Sequence, residues 1–206
     1  MQVRKSHCFL ASVLMSAAGF SARGDIVIDF VPSVLTVPVG DTFDIDVVIS
    51  GLGVGAAPSV GAFDFDILFN DAVLSLNSLT FGDPLLGDQI DLSGLAMPGI
   101  DLGYSVSAPG VIDVFEFSLD TEAFLNANQA DEFVMFRMSF DAIAAGFSAL
   151  SIDDNDHFFA LLDASGLVDL PATLNDGGIT VIPAPGAAVL AMLGVGFVGL
   201  RLRRWA

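Results

Sequence analysis

Two stretches of this chain alternate with a period of two so regularly that a helix cannot sort their residues. In residues 42–50, TFDIDVVIS, the apolar Phe43, Ile45, Val47 and Ile49 take every second place, with Asp44, Asp46, Val48 and Ser50 between them. In residues 62–69, AFDFDILF, Phe63, Phe65, Ile67 and Phe69 alternate with Asp64 and Asp66. Successive side chains of a strand point to opposite faces, so each stretch predicts one dry face and one wet one.

The same period runs through VFEFSL (114–119) and FVMFRMSF (133–140). In the second, Val134, Phe136, Met138 and Phe140 are expected on one face, with Arg137 and Ser139 on the other. Shorter strands are expected at 26–31, 34–39, 73–81, 147–152 and 178–182, separated by turn formers such as VGD, FND, FGD and APG. Only DTEAFLNANQ (120–129) reads as a helix, with Asp120 or Thr121 as its cap and Ala123, Phe124 and Ala127 as its buried side. About nine strands with two-sided alternation predict an all-β sandwich in one domain. GLGVG (51–55) is expected to be a strand connection.

The charge divides the chain in three. All 25 acidic residues fall between Asp25 and Asp176, and the only base in that span is Arg137. Such a surface offers no cations to exchange for the counterions of a phosphate backbone, which excludes nucleic acid as a partner. Residues 1–24 carry Arg4 and Lys5, then an apolar run from Cys8 to Phe20 and small residues, the order of a secretory signal peptide. Cleavage is expected between Ala18 and Ala22. Cys8, the single cysteine, leaves with that segment, so the exported domain of residues 25–181 must be held by its core or by bound ions.

Residues 182–206 close the chain with Pro183, Ala184 and Pro185, an uninterrupted apolar or glycine run from Ala187 to Leu200, and Arg201, Arg203 and Arg204. The run suits a short transmembrane helix, with its arginine end held in the cytoplasm. It also contains GVGFVG, a glycine pattern of dinucleotide sites. No strand precedes it and no acid follows it, so that reading is rejected.

Few residues suggest chemistry. His157 is the only histidine outside the leader, no serine lies in a nucleophile elbow, and carboxylate pairs are too abundant to mean anything, so no enzyme is expected. Asp153, Asp154, Asn155 and Asp156 follow a strand and offer oxygens of the kind calcium takes, although the spacing is not that of an EF-hand. The alternative is an acidic surface that serves solubility. Asp44 and Asp46 would lie beside Asp64 and Asp66 if their strands paired, and like charges facing across a sheet call for a cation. The phenylalanines mostly alternate inward, leaving no aromatic platform for sugars. A calcium- or hydrogen-bond-mediated glycan site is open in the loop GDPLLGDQIDLSGLAMPGID (82–101).

Two resemblances carry these readings further. The segments VPVGDTFDIDVVISGL, VGAFDFDILFNDAVLSLNSLTFGDPLL and VFEFSLDTEAFLNANQADEFVMFRMSFDAIAAGFSALSI, with GGITV near the end, resemble the cohesin and cellulose-binding-module type of jelly-roll sandwich. That resemblance implies a non-catalytic module for a protein or polysaccharide ligand. A calcium-dependent carbohydrate-binding module is the second class it allows. The Pro-x-Pro, apolar run and arginine cluster resemble the PEP-CTERM sorting signal, with Ala184 in place of the central glutamate. This second likeness implies an exosortase-type membrane transpeptidase as partner. Passage through the inner membrane would then lead to the cell surface or extracellular matrix of an exopolysaccharide-making host. Left uncut, the same segment would be a permanent single-span anchor facing the periplasm.

Overall fold

In the computed structural model, residues 25–153, 161–184 and 186 are described. Pro185, Arg201, Arg203, Arg204, Asp154, Asn155, Asp156, the signal peptide and the apolar run at 187–200 lie outside them. Among the described residues are twelve strands and one short helix. The strands are β1 (Ile26–Val31), β2 (Val34–Pro38), β3 (Thr42–Ser50), β4 (Val60–Leu68), β5 (Leu74–Phe81) and β6 (Leu102–Ala108). Then come β7 (Val111–Phe117), helix α1 (Glu122–Asn128), β8 (Glu132–Ala142), β9 (Gly146–Asp153), β10 (Leu161–Asp163), β11 (Ala172–Leu174) and β12 (Gly177–Ile182).

They form two sheets. The first has the order β11-β1-β3-β8-β5, and the second β2-β12-β9-β4-β7-β6, with β10 also on β4. Neighbours pair antiparallel except β1 with β11 and β12 with β2, which are parallel. The chain crosses between sheets at Pro32 and Ser33, straight after β1. Each sheet buries one face against the other, as the alternation demands.

The core is aromatic. Phe63 on β4 stacks on Phe65 at 5.3 Å and reaches across to Phe136 on β8 at 5.6 Å. Phe140 meets Phe69 at 5.3 Å and Phe43 at 6.1 Å. Rings from facing sheets thus interlock, and Ile28, Ile45, Ile49, Ile67 and Ile112 fill the spaces between them without exposure.

Several expectations change. The sandwich has three more strands than expected: β6, whose LGYSVSA is poor in large apolar residues, and the three-residue β10 and β11. Strand β8 carries a bulge, for Val47 pairs with Phe136 and Val48 with Val134, leaving Met135 extra. Phe136, Met138 and Phe140 therefore point inward as expected, but below the bulge Phe133 and Met135 are buried and Val134 turns outward. The helix is capped by the backbone of Thr121 without a side-chain bond, and it buries Leu125 rather than Ala123, Phe124 and Ala127. It is held instead from its end. Gln129 accepts the Val60 N–H through Oε1 at 2.7 Å and donates through Nε2 to the carbonyls of Val60 and Gln89, each at 2.9 Å.

Candidate interaction surface

Strands β3 and β4 lie in different sheets, so Asp44 and Asp46 do not face Asp64 and Asp66 as suggested above. Register instead sets Asp46 opposite Arg137. The guanidinium donates from Nε to Oδ1 at 2.6 Å and from Nη2 to Oδ2 at 2.8 Å, and Asp44 stands 3.9 Å from Nη1. Arg137 is thereby engaged on the outer face of the first sheet, and the hydrogen bonds it donates to Asp46 push it further toward the charged form.

Among the described residues the outer face of the second sheet carries no base. Asp66 on β4 stands opposite Asp113 on β7 and Asp153 on β9, so three aspartates lie in one row across the strands. Asp64 faces Phe115. Because Ile112, Val114 and Glu116 are the buried members of β7, Phe115 and Phe117 take its outer face, and Phe117 is 40% exposed. The rings of Phe115 and Phe117 sit 6.4 Å apart, tilted by 54°. Phe147 of β9 also turns outward, 59% exposed. The expectation that the phenylalanines face inward therefore fails at Phe115, Phe117 and Phe147, and on the helix at Phe124.

Two glycines keep this face low. A Cβ at Gly103 would come within 3.2 Å of the Phe115 ring, and one at Gly178 within 3.0 Å of the Phe147 ring. Each phenylalanine lies flat over a neighbouring strand where no side chain intervenes. The result is a shallow sheet surface with acidic centre and aromatic flanks. Among the described residues the groups placed on this face above are aspartates and phenylalanines.

The loop at 82–101 spends its carboxylates on its own backbone. Asp83 accepts from Leu85 and Leu86 through Oδ1 and from Val134, beside the bulge, through Oδ2. Partial burial opposes its ionisation, but these three N–H bonds and the distant Arg137 hold it below the ordinary aspartate value. Asp88 accepts from Ile90 and Asp91, and Asp91 from Leu95 and Ala96. Ser93 binds Asp120 through both its N–H and its hydroxyl. Beneath this loop lies Glu116, fully buried. Burial, then the neighbouring carboxyls of Asp88 and Asp91, push it up to about 10, so it is protonated at neutral pH in the absence of a cation. Sequence reasoning missed Glu116; the only signal was its place in step with Ile112 and Val114.

Of the expected sorting residues, Pro183 and Ala184 follow β12 directly, with Pro183 exposed. Of the expected calcium ligands, Asp153 ends β9. Among the described residues no helix is long and apolar enough to cross a membrane.

The fold is that of a cohesin-like β-sandwich, the class of its structural neighbours. The chain is similar in structure to CaCohA2 from Clostridium acetobutylicum, at 18% identity and a TM-score of 0.56, over 77% of this chain and 92% of that one. It is also similar to a type I cohesin–dockerin complex chain from Clostridium thermocellum, at 16% identity, 77% and 100% coverage and a TM-score of 0.57. A non-cellulosomal cohesin from the archaeon Archaeoglobus fulgidus matches at 15% identity, 80% and 96% coverage and a TM-score of 0.53. No family model and no curated protein sequence matches the chain.

Proposed function

We propose that this chain is a non-catalytic protein-binding module that docks its ligand on the outer face of the second sheet. The observation that carries the reading is the row Asp113–Asp66–Asp153 flanked by Phe115, Phe117 and Phe147. Aromatic anchors beside a single-sign charge field suit a partner with a basic centre and an apolar rim. Structural neighbours crystallised as cohesin–dockerin complexes support a protein ligand. A flat polysaccharide is disfavoured, because the tilt between Phe115 and Phe117 gives sugar rings no coplanar stack.

Export and sorting complete the proposal. The leader and the Pro183–Ala184–Pro185, apolar and arginine order support delivery to the cell surface by an exosortase-type transpeptidase. Intact mass of the mature protein from the native host tests this part. A C-terminus near Pro185 in the extracellular fraction supports sorting. A full-length C-terminus found only in membranes makes the protein an anchored periplasmic module.

Docking is tested by placing a photocrosslinking residue at Ser105 or Asp113, and at Thr80 of the first sheet as control, in the native host. One discrete protein adduct from the two second-sheet positions, reduced by Asp66→Lys, is expected. Equal labelling from Thr80, or no adduct at all, overturns the assignment.

A further inference from the structure

Among the described residues, Glu116 is the one buried carboxyl with neither oxygen bonded to an N–H, a hydroxyl or a basic group; the partner it meets is another acid, the Asp88 carboxyl. Its side chain is fully buried and projects from the inner side of β7, with Phe63 of β4 and Leu102 of β6 as cross-strand neighbours. The polar groups that act on it are the carboxyls of Asp88 and Asp91, brought over it by the loop at 82–101. Asp88 uses Oδ1 for the N–H groups of Ile90 and Asp91, which curls the loop around this point. The loop is pinned from both sides: Ile90 enters the core, and the Gln89 side chain and carbonyl are tied to Ala130 and Gln129.

Among the described residues no basic side chain acts on Glu116. Arg137, the single base between residues 25 and 181, lies on the outer face of the other sheet, bound to Asp46. Facing carboxyls in a dry interior are satisfied either by a shared proton or by a metal ion. We propose that Glu116 and Asp88 are ligands of a hard divalent cation, calcium by chemistry, clamped between β7 and the 82–101 loop. Among the described residues no three acidic, histidine or cysteine side chains converge to cage an ion as they stand. Asp91 keeps its oxygens on the Leu95 and Ala96 N–H groups, so loop carbonyls and water would have to complete the shell.

The donor set selects the metal. The described residues contain neither histidine nor cysteine, which disfavours zinc and copper. Magnesium demands a near-ideal octahedron and keeps its waters, whereas calcium accepts an irregular shell of carboxylate and carbonyl oxygens from a loop. The ligands proposed here are other residues than Asp153–Asp156, and the proposal does not depend on the protein-binding reading.

The test is calorimetric titration of calcium chloride, and separately magnesium chloride, into the purified chelator-treated protein at fixed ionic strength. Glu116→Gln, Asp88→Asn and the exposed control Asp176→Asn are run beside the wild type. The expected result is one calcium per chain, with affinity reduced at least about tenfold in Glu116→Gln and Asp88→Asn and kept in Asp176→Asn. Glu116→Gln is isosteric and neutral, so it decides the matter if Asp88→Asn fails to show a cooperative thermal transition. No calcium uptake by the wild type overturns the proposal and leaves a shared proton between the two acids. Uptake undiminished in Glu116→Gln also overturns it and moves the ion elsewhere.

Discussion

Arg137 and Asp46 face each other across β3 and β8 in a two-pronged bond, 2.6 Å and 2.8 Å long, with Asp44 3.9 Å away. A single guanidinium thus compensates two of the acids of the most alternating strand. Its side chain is 37% exposed, so solvent screening limits what the pair contributes. Arg137→Gln is expected to cost about 1 kcal/mol, measured by urea denaturation at low salt. The cost should shrink at high salt; a loss that salt leaves unchanged would show that packing of the arginine stem, not its charge, matters.

Gln129 joins the helix end, β4 and the 82–101 loop in one buried set of bonds. Gln129→Leu keeps the volume but leaves the Val60 N–H and two carbonyls unsatisfied inside. A destabilisation of about 2–4 kcal/mol is expected. Protection of the Val60 amide in hydrogen exchange should fall with it, and unchanged protection would contradict the bonding described.

Glu116 makes the metal-free protein sensitive to alkali. Its value is raised from 4.5 to about 10, so the folded state holds a proton that the unfolded chain has lost. The neutral carboxyl is therefore fully tolerated below pH 4.5, and the stability tied to it declines as pH rises toward 10. In the presence of chelator, Glu116→Gln should flatten this decline and raise stability near pH 8 by at least about 1 kcal/mol. Parallel pH curves for the two proteins would refute the assignment.

Asp83 acts in the opposite direction. Its folded value is lowered, by the N–H groups of Val134, Leu85 and Leu86 against the effect of burial. The stability it supplies is present above its ordinary 3.8 and disappears as pH falls through the lower folded value. Asp83→Asn should cost about 1 kcal/mol at pH 7, with a smaller gap from the wild type near pH 2. Acid titrations followed by circular dichroism measure both.

Asp113 stands opposite Asp66, which also faces Asp153. Like charges directly across strands destabilise a sheet, so Asp113→Asn is expected to raise stability by about 0.2–1 kcal/mol at low salt. The same substitution should weaken capture of a basic protein ligand. Greater stability together with weaker binding would mark the row as retained for docking.

Much of the fold was legible because burial and period coincide. Ile45, Val47, Phe63, Phe65 and Ile67 are buried where their alternation puts them. Strand β6 was not legible, since an edge strand with little to bury leaves Leu102–Ala108 without an apolar stripe. Val134 was misplaced because a bulge at Met135 puts the residues before it out of step with those after it, and one extra residue leaves no mark in the alternation.

The candidate surface divides the same way. Sequence alone determined that the domain is a β-sandwich with a strongly acidic surface, since period and composition are local properties. Which acids meet was decided only by tertiary structure. Register set Asp66 against Asp113, gave Asp46 to Arg137, and carried Asp88 from a loop onto the buried Glu116. Those pairings join residues far apart in the chain, and strand order, which the alternation does not encode, chooses among them.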